Sequence, residues 1–258
     1  MHQLYALKFA EVRQGSMAQY FLNPPASCAD QPGHMDFMLW VIRTGSGDVV
    51  VDAGFTAEVA RRRGRPHFRA PSEALRLLGV DPATVGHVIL THFHFDHCGD
   101  LTPFETADFY AQAAEMAFWT SPIAARGDFR RLVEPADIEA LVRLNLDGRL
   151  VQVVGDREVV PGVSVHHVGG HTPGMQVVSV ETGRGTAVLA SDASHLLGHI
   201  HGDSPARFVT DLPQMYRAFD RIRALASDPD LIVPGHDAQV FERYEPVDGL
   251  AGIAVRIA

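Results

Sequence analysis

Ligand-type side chains are crowded into the segment THFHFDHCGD, residues 91–100, which holds three imidazoles and a carboxylate within six positions. Three more such residues follow later in the chain, in GGHTPG, SDAS and PGHD. Neutral imidazole and carboxylate groups suit Zn²⁺, Fe or Mn. The sequence therefore predicts a metal centre whose candidate ligands are His92, His94, Asp96, His97, His171, Asp192 and His236.

This ligand set is larger than a single ion needs. A catalytic zinc ion keeps three protein ligands and leaves one position for water. Six side chains and one shared carboxylate are enough for two divalent ions, and we expect Zn²⁺, with Fe or Mn as alternatives. Two ions about 3.5–4 Å apart hold a bridging hydroxide and clamp a carbonyl or phosphoryl oxygen. Hydrolysis is therefore the leading expectation for the chemistry.

Short apolar runs precede each group of ligand residues. Residues 88–90 precede the first group, 163–168 precede His171, 188–190 precede Asp192 and 231–233 precede His236. Such runs predict buried strands, and functional residues concentrate in loops on a rigid scaffold. We expect four strands to deliver the ligands from their carboxyl ends.

The remaining patterns predict two sheets with helices outside them. A glycine-containing turn at 45–48 joins strands 37–43 and 49–52, and further strands are expected at 150–154 and 177–180. Helices are predicted at 57–60 after the cap Thr56, at 73–78 after the cap Ser72, at 112–119, at 136–146 and at 212–225. These elements favour an α+β fold, a four-layer αββα sandwich forming one domain over residues 1–258.

Composition and charge limit the kinds of molecule that the protein is expected to bind. The 258 residues carry a formal charge of −9, which disfavours a nucleic-acid substrate, and no apolar run is long enough to span a bilayer. We expect a small-molecule substrate and no membrane contact; a homodimer is left open. The first residues show no signal peptide, so a cytoplasmic protein with reduced Cys28 and Cys98 is expected, Cys98 packing under its loop.

The ordered motifs resemble those of the metallo-β-lactamase superfamily. HxHxDH at 92–97, GHTPG at 170–174, Ser191-Asp192 and Gly235-His236 carry the resemblance, and VDAG at 51–54 matches the first family motif. The resemblance implies the metallo-β-lactamase-like αββα fold. It also implies that His92, His94 and His171 hold one metal, that Asp96, His97 and His236 hold the other, and that Asp192 bridges them. Asp52, Asp100 and Asp237 are candidate acceptors for the ligand rings.

Within the superfamily the chain is similar to the N-acyl homoserine lactonase group. The expected reaction is the opening of a lactone or a related cyclic ester or amide, with Asp96 carrying a proton between nucleophile and leaving group. His195 stands where that group often has a substrate-contacting tyrosine, and we assign it a catalytic role as donor to the carbonyl. An apolar pocket is expected from Met35, Phe37, Phe93, Phe95 and Phe208, and His199 and His201 are expected in a mobile loop near it.

Two enzyme classes remain as alternatives because they use similar ligands. A thioester hydrolase of the glyoxalase II type typically holds its substrate with basic side chains from a C-terminal extension, whereas the tail here, 244–249, is short and acidic. A mononuclear iron persulfide dioxygenase-like oxidoreductase keeps several of the same ligands. A pure binding role fits poorly, because structural zinc sites are closed four-ligand sites.

Overall fold

The computed structural model describes residues 1–65 and 69–258. Within them the strands are β1 (Gln3–Ser16), β2 (Pro32–Thr44), β3 (Gly47–Val51), β4 (His87–Ile89), β5 (Asp108–Gln112), β6 (Leu150–Val153), β7 (Arg157–Val160), β8 (Val163–His167), β9 (Gln176–Thr182), β10 (Gly185–Ser191), β11 (Ile232–Pro234), β12 (Glu245–Pro246) and β13 (Ala254–Arg256). The helices are α1 (Ala57–Arg62), α2 (Pro71–Leu77), α3 (Ala113–Trp119), α4 (Gly127–Leu132), α5 (Pro135–Leu146), α6 (Leu197–His201), α7 (Leu212–Leu225) and α8 (Val240–Arg243).

These strands form two sheets. The first has the order β12-β13-β1-β2-β3-β4-β5-β6, and the second has the order β11-β10-β9-β8-β7. The hairpin predicted at the glycine-containing turn is confirmed, since β2 and β3 pair antiparallel with Trp40 opposite Val51. Strands β3 to β6 run parallel, as does β11 against β10. Parallel neighbours end at the same edge of their sheet, which brings their following loops together.

Alternating side chains in β1 and β2 divide the interior into layers. Leu4 and Trp40 face the second sheet and pack with Val178 and its neighbours. The opposite face of the same strands packs under helices α2, α3 and α5. Helix α7 covers the outer face of the second sheet through Met215, Phe219 and Ile222. Both sheets are therefore buried on two faces, and the expected four-layer αββα architecture is confirmed.

Two local predictions, the Ser72 cap and the mobile loop at His199 and His201, are wrong. Ser72 does not cap α2, because the helix begins at Pro71 and the Glu73 carboxylate accepts a hydrogen bond from the Ala70 N–H; proline is favoured at a first helical position, where its missing N–H costs nothing. The strand expected at 150–154 is confirmed as β6, which pairs parallel with β5 at the edge of the first sheet. His199 and His201 lie in helix α6. No helix among the described residues is both long and apolar enough to cross a membrane.

Candidate metal centre

The loops that follow β4, β8, β10 and β11 bring all seven candidate ligands together, as the sequence predicts. All seven side chains are buried. They divide into two groups whose ligand atoms lie within 4.8 Å of one another: the first contains His92, His94, His171 and Asp192, and the second contains Asp96, His97 and His236.

The first group has the spacing expected around one ion. His171 Nε2 lies 3.0 Å from His94 Nδ1 and 3.3 Å from Asp192 Oδ2. His92 Nε2 lies 3.6 Å from the same carboxylate oxygen. Atoms bound to a tetrahedral zinc ion at about 2.0–2.1 Å are separated by about 3.3 Å from one another. One ion therefore fits among these four side chains.

The second group meets the other oxygen of Asp192. His97 Nε2 lies 3.3 Å from Asp192 Oδ1, and His236 Nε2 lies 3.0 Å from it. The Asp96 carboxylate closes the group, at 3.8 Å from His97 Nε2 and 3.7 Å from His236 Nε2. Asp192 thus presents one oxygen to each group, which is the arrangement a bridging carboxylate requires.

Buried polar atoms without partners show that the group of side chains fits metal ions. His92 Nε2, His97 Nε2 and Asp192 Oδ1 are buried and form no hydrogen bond with any residue that the structure describes. An unsatisfied buried polar atom costs about 1–3 kcal/mol. Cations among these imidazole and carboxylate groups would satisfy the nitrogens and oxygens together, because this donor set suits Zn²⁺, Fe or Mn.

Burial and charge set the protonation of the ligands in opposite ways. Burial lowers the pKa of His92 and of His94 well below the ordinary value, which keeps both rings in the neutral form that binds metal. Burial also lowers the pKa of His97, but Asp192, Asp52 and Asp96 outweigh it and raise that pKa well above the ordinary value. Burial raises the pKa of Asp192, but the surrounding imidazoles outweigh this and hold it well below the ordinary value.

Asp52 holds the loop of the first motif without reaching the ligand atoms. Its Oδ2 accepts from His97 Nδ1 at 2.7 Å and from the Thr91 hydroxyl at 2.9 Å, and its Oδ1 accepts from the Thr91 N–H at 2.8 Å. Asp52 and Ser191 have positive backbone φ angles, of 64° and 44° respectively. Two non-glycine residues beside the site therefore adopt the left-handed region. Such strain clusters at functional sites.

Two other ligand rings are oriented by backbone carbonyl oxygens that accept a hydrogen bond from Nδ1. His171 Nδ1 donates to the Phe208 carbonyl at 2.8 Å, and His236 Nδ1 donates to the Asp36 carbonyl at 2.9 Å. With Nδ1 donating, Nε2 is left as the atom that faces the cluster. Such partners fix the tautomer and the direction of a ligating ring.

Asp100 and Asp237, two candidate acceptors for the ligand rings, instead accept hydrogen bonds at the starts of helices. Asp100 Oδ2 accepts from the Ser72 N–H at 3.1 Å, and Asp237 Oδ2 accepts from the Leu197 N–H at 2.9 Å. Both carboxylates serve unpaired N–H groups at the starts of helices α2 and α6, where such donors are left unsatisfied. Cys98 is fully buried with its Sγ 3.4 Å from the His94 carbonyl oxygen, in agreement with its predicted packing role.

His195 lies at the cluster, one turn after β10. Its Nε2 is 3.1 Å from Asp192 Oδ2, and its side chain lines the cavity above the candidate ligands. His199 and His201 do not line that cavity. His199 is fully buried with its ring edge-on to Phe21 at 4.5 Å between centroids, whereas His201 is exposed, so the expectation of a mobile loop is wrong for both.

Glu115 is a functional candidate that sequence reasoning missed. Its carboxylate is fully buried, and Oε1 accepts from the Phe93 N–H at 3.0 Å and from Trp119 Nε1 at 2.7 Å. Oε2 accepts from the Thr172 hydroxyl at 2.9 Å and from the Gly174 N–H at 2.8 Å. One carboxylate therefore joins the loop that carries His92 and His94 to the loop that carries His171.

A cavity of about 480 Å³ opens onto the cluster. Met35, Phe37, Phe95 and Phe208 line it, as the sequence predicts. Phe93 does not, because its side chain is fully buried in the core under the helices. The rim of the cavity carries four arginines that the sequence analysis did not single out: Arg63, Arg65, Arg131 and Arg207. The volume is that of a small-molecule site.

Comparison with known proteins agrees with this geometry. The family model described as "Metallo-beta-lactamase superfamily" matches residues 39–236. An N-acyl homoserine lactonase of a Bacillus species is 27% identical over 239 residues, covering 83% of this chain and 89% of the relative. The N-acyl homoserine lactonase AttM of Azorhizobium caulinodans is 25% identical, covering 93% and 91% respectively. Relatives of these names are metal-dependent hydrolases, which confirms the expected enzyme class and the resemblance to the lactonase group.

Solved structures share the fold at lower identity. An N-acyl homoserine lactone hydrolase with the product N-hexanoyl-L-homoserine bound at its catalytic metal centre superposes with a TM-score of 0.76 at 21% identity, over 94% of this chain and 96% of that one. The dizinc quorum-quenching lactonase AidC superposes with a TM-score of 0.73 at 17% identity, over 92% and 88%. The matched family model spans more than half of the chain, and the chain belongs to the metallo-β-lactamase superfamily.

Proposed function

We propose that this lactonase-like metallo-hydrolase opens a lactone or a related cyclic ester or amide at a dinuclear metal centre. The observation that carries the proposal is Asp192, whose two oxygens face two separate groups of candidate ligands beneath a partly apolar cavity. We assign His92, His94 and His171 to one ion and Asp96, His97 and His236 to the other. Relatives that are named as lactonases support the substrate class.

Zn²⁺, or alternatively Fe or Mn, bound by these residues would supply Lewis acidity and would lower the pKa of water to about 7. The oxygen of a water molecule attacks the carbonyl carbon, and the bond from that carbon to the ring oxygen or nitrogen breaks. Asp96, whose carboxylate faces the cavity, takes the proton that the water loses and returns it to the leaving atom. The products are a carboxylic acid and an alcohol or amine in one open chain.

His195 is assigned to the substrate carbonyl. Its Nε2 faces the cluster and lies near Asp192 Oδ2, so a carbonyl oxygen that enters the cavity meets a ring nitrogen. A neutral imidazole donates one hydrogen bond through Nε2–H, which stabilises the negative charge that develops on that oxygen. Phe37 and Phe95 provide apolar surface beside the reacting atoms for the rest of the substrate.

We propose further that residues 1–258 act as one domain, since the side chains between the two sheets come from both halves of the chain. A cytoplasmic location is supported by the two cysteines, which are buried and unpaired. The partner is a small molecule, which agrees with a cavity of about 480 Å³ and with the formal charge of −9. A homodimer stays open.

The test is a hydrolysis screen with a pH indicator on metal-reconstituted protein. Lactones, thioesters, cyclic amides and phosphodiesters are offered at equal concentration, and oxygen uptake with a persulfide is measured in parallel. We expect turnover of lactones, and some turnover of cyclic amides. Turnover confined to thioesters would contradict the proposal and indicate a glyoxalase II-like activity. Oxygen uptake without hydrolysis would contradict it and indicate persulfide oxidation.

A further inference from the structure

We propose that the substrate carries an anionic group, such as a carboxylate, at the end remote from the scissile carbonyl, and that Arg65 and Arg207 at the cavity rim bind it. This inference rests on the proposed function, because it uses the same cavity. It goes beyond that function in naming the charge of the substrate and the residues that select it.

Two of the four rim arginines are already neutralised. Arg63 forms an ion pair with Glu134, and its guanidinium lies 3.9 Å above the ring of Phe95. Arg131 pairs with Asp128 on the neighbouring turn of α4. Arg63 also donates to the Arg131 and Val133 carbonyls, so three of its nitrogens are already engaged. Arg131 and Asp128 are both highly exposed, so Arg131 carries a neighbouring negative charge but makes only a weak surface pair.

Arg65 and Arg207 have no such carboxylate. Neither forms an ion pair with any residue in the ranges 1–65 and 69–258. The Nε of Arg65 is buried and lacks a hydrogen-bond acceptor within the same ranges. A buried guanidinium nitrogen without an acceptor is costly. An anion in the cavity would supply an acceptor that Arg65 does not find among the residues that the structure describes.

Tyr20 adds a neutral donor to the same part of the rim. Its hydroxyl is buried and lacks a partner in the described ranges, and its side chain lines the cavity together with Arg65 and Arg207. The Tyr20 carbonyl accepts from the Arg207 N–H at 3.2 Å, which fixes the backbone of Arg207. The next residue, Phe208, holds His171 through its carbonyl, so the rim is tied to the metal centre.

The distribution of charge also favours an anion. The chain as a whole has a formal charge of −9, so two guanidinium groups that line one cavity without a carboxylate partner among residues 1–65 and 69–258 differ from the overall charge. Such a local field attracts an oppositely charged ligand and raises its rate of association. Guanidinium recognises carboxylate through two parallel N–H···O bonds. Phe37, Phe95 and Phe208 line the same cavity, so an apolar part of the substrate would find apolar surface there.

The experiment compares a γ-lactone that has an alkyl side chain with the same lactone whose side chain ends in a carboxylate. We measure kcat and KM for both with the metal-loaded wild type, with Arg65→Gln, with Arg207→Gln and with the double variant. Arg61→Gln is the matched control, because Arg61 is exposed on α1 and does not line the cavity.

We expect the carboxylate lactone to be preferred, and the double variant to lose about 10- to 100-fold in kcat/KM on it, mainly through KM, which corresponds to the loss of charged hydrogen bonds. Turnover of the neutral lactone should stay within about twofold, and the wild-type preference should weaken in high salt because screening reduces exposed interactions. Equal kcat/KM values for the two lactones, or equal losses on both in the double variant, would overturn the inference.

Binding separates this inference from the proposed function. The ring-opened product of the carboxylate lactone is titrated into each protein by calorimetry, which needs no turnover. If the protein hydrolyses neither lactone but binds this product in a manner that requires Arg65 and Arg207, the proposed function fails and the anion site stands. If lactones are hydrolysed but the product binds the double variant as tightly as the wild type, the proposed function stands and the proposed anion site is wrong.

Discussion

Individual residues in the centre have separable duties. Asp192 presents one oxygen to each group of imidazoles, whereas Asp52 touches no ligand atom of the cluster and instead accepts from the far nitrogen of His97. The identities of the seven candidate ligands were readable from sequence because each follows an apolar run at a strand end. The groups that accept hydrogen bonds from the ligand rings were harder to predict. Backbone carbonyls such as those of Asp36 and Phe208 serve this purpose, and any residue type can provide a carbonyl.

Removal of single candidate ligands should have graded effects on metal content. His94→Ala removes a ligand from one group and should release about one ion. Asp192→Ala removes the shared carboxylate and should weaken the binding of both ions. Hydrolysis should fall to background in both variants. Elemental analysis with a turnover assay checks this, and His201→Ala is the control because His201 is exposed outside the cavity. Wild-type turnover in either ligand variant would contradict the assignment.

His195→Phe tests the donor to the carbonyl. The substitution removes the nitrogen that faces the cluster while it retains an aromatic ring of similar size. We expect kcat to fall about 10²- to 10³-fold, as for the loss of one donor to a developing oxyanion, with metal content unchanged. Steady-state kinetics and elemental analysis are measured on the same preparation. Loss of metal in this variant would show that His195 acts as a ligand instead.

At the scale of elements, the centre depends on contacts between loops that are distant in the chain. Helix α3 contributes Glu115, which joins the loop after β4 to the loop after β8 through four hydrogen bonds. The helix was predicted from sequence, but the role of Glu115 was not, because a glutamate in a helical pattern is usually a solvated residue. Its partner Gly174 lies 59 positions away, beyond any local pattern.

Glu115→Gln should loosen both loops without a change in side-chain volume. The amide nitrogen of glutamine is a donor and must face one of the present donors, so we expect a loss of about 1–3 kcal/mol in unfolding free energy. We also expect metal affinity to fall about 10- to 100-fold, as for other partners outside the ligand shell. Competition with a chelator measures the affinity. Wild-type affinity for both ions would contradict the positioning role.

Asp137, in the first turn of α5, should make stability depend on pH. Burial and the neighbouring Glu134 raise its pKa to about 7, and its Oδ2 has no partner among the residues described. The folded carboxyl keeps a proton that the unfolded chain releases near pH 4, so its contribution is full below about pH 4 and is lost as pH rises to 7. Three pKa units correspond to at most roughly 4 kcal/mol.

Urea unfolding of Asp137→Asn and of the wild type at pH 5 and pH 8 checks the sign. The variant should be the more stable of the two at pH 8, and its advantage should shrink at pH 5, where Asp137 of the wild type is protonated. Parallel changes in both proteins between the two pH values would show that Asp137 does not carry the effect.

At the scale of the whole molecule, the sequence predicted the layers better than the order of the strands. Apolar runs and turn residues indicated most of the strands, so two sheets with outer helices could be predicted. The position of β6 did not follow, because residues 150–153 have the same apolar character whether they pair with β5 or with β7, and in the fold they pair parallel with β5. The arginines of the cavity were equally hard to predict, since Arg65 and Arg207 are far apart in sequence and line one cavity only in the folded chain.

The number of metal ions held by one chain tests the central claim most directly. Purified protein is reconstituted with Zn²⁺, freed of excess metal by gel filtration, and measured by elemental analysis against protein concentration. We predict about two ions per chain, because two groups of ligand atoms share Asp192. A value of one ion or fewer after reconstitution with Zn²⁺, Fe²⁺ or Mn²⁺ would contradict a dinuclear centre.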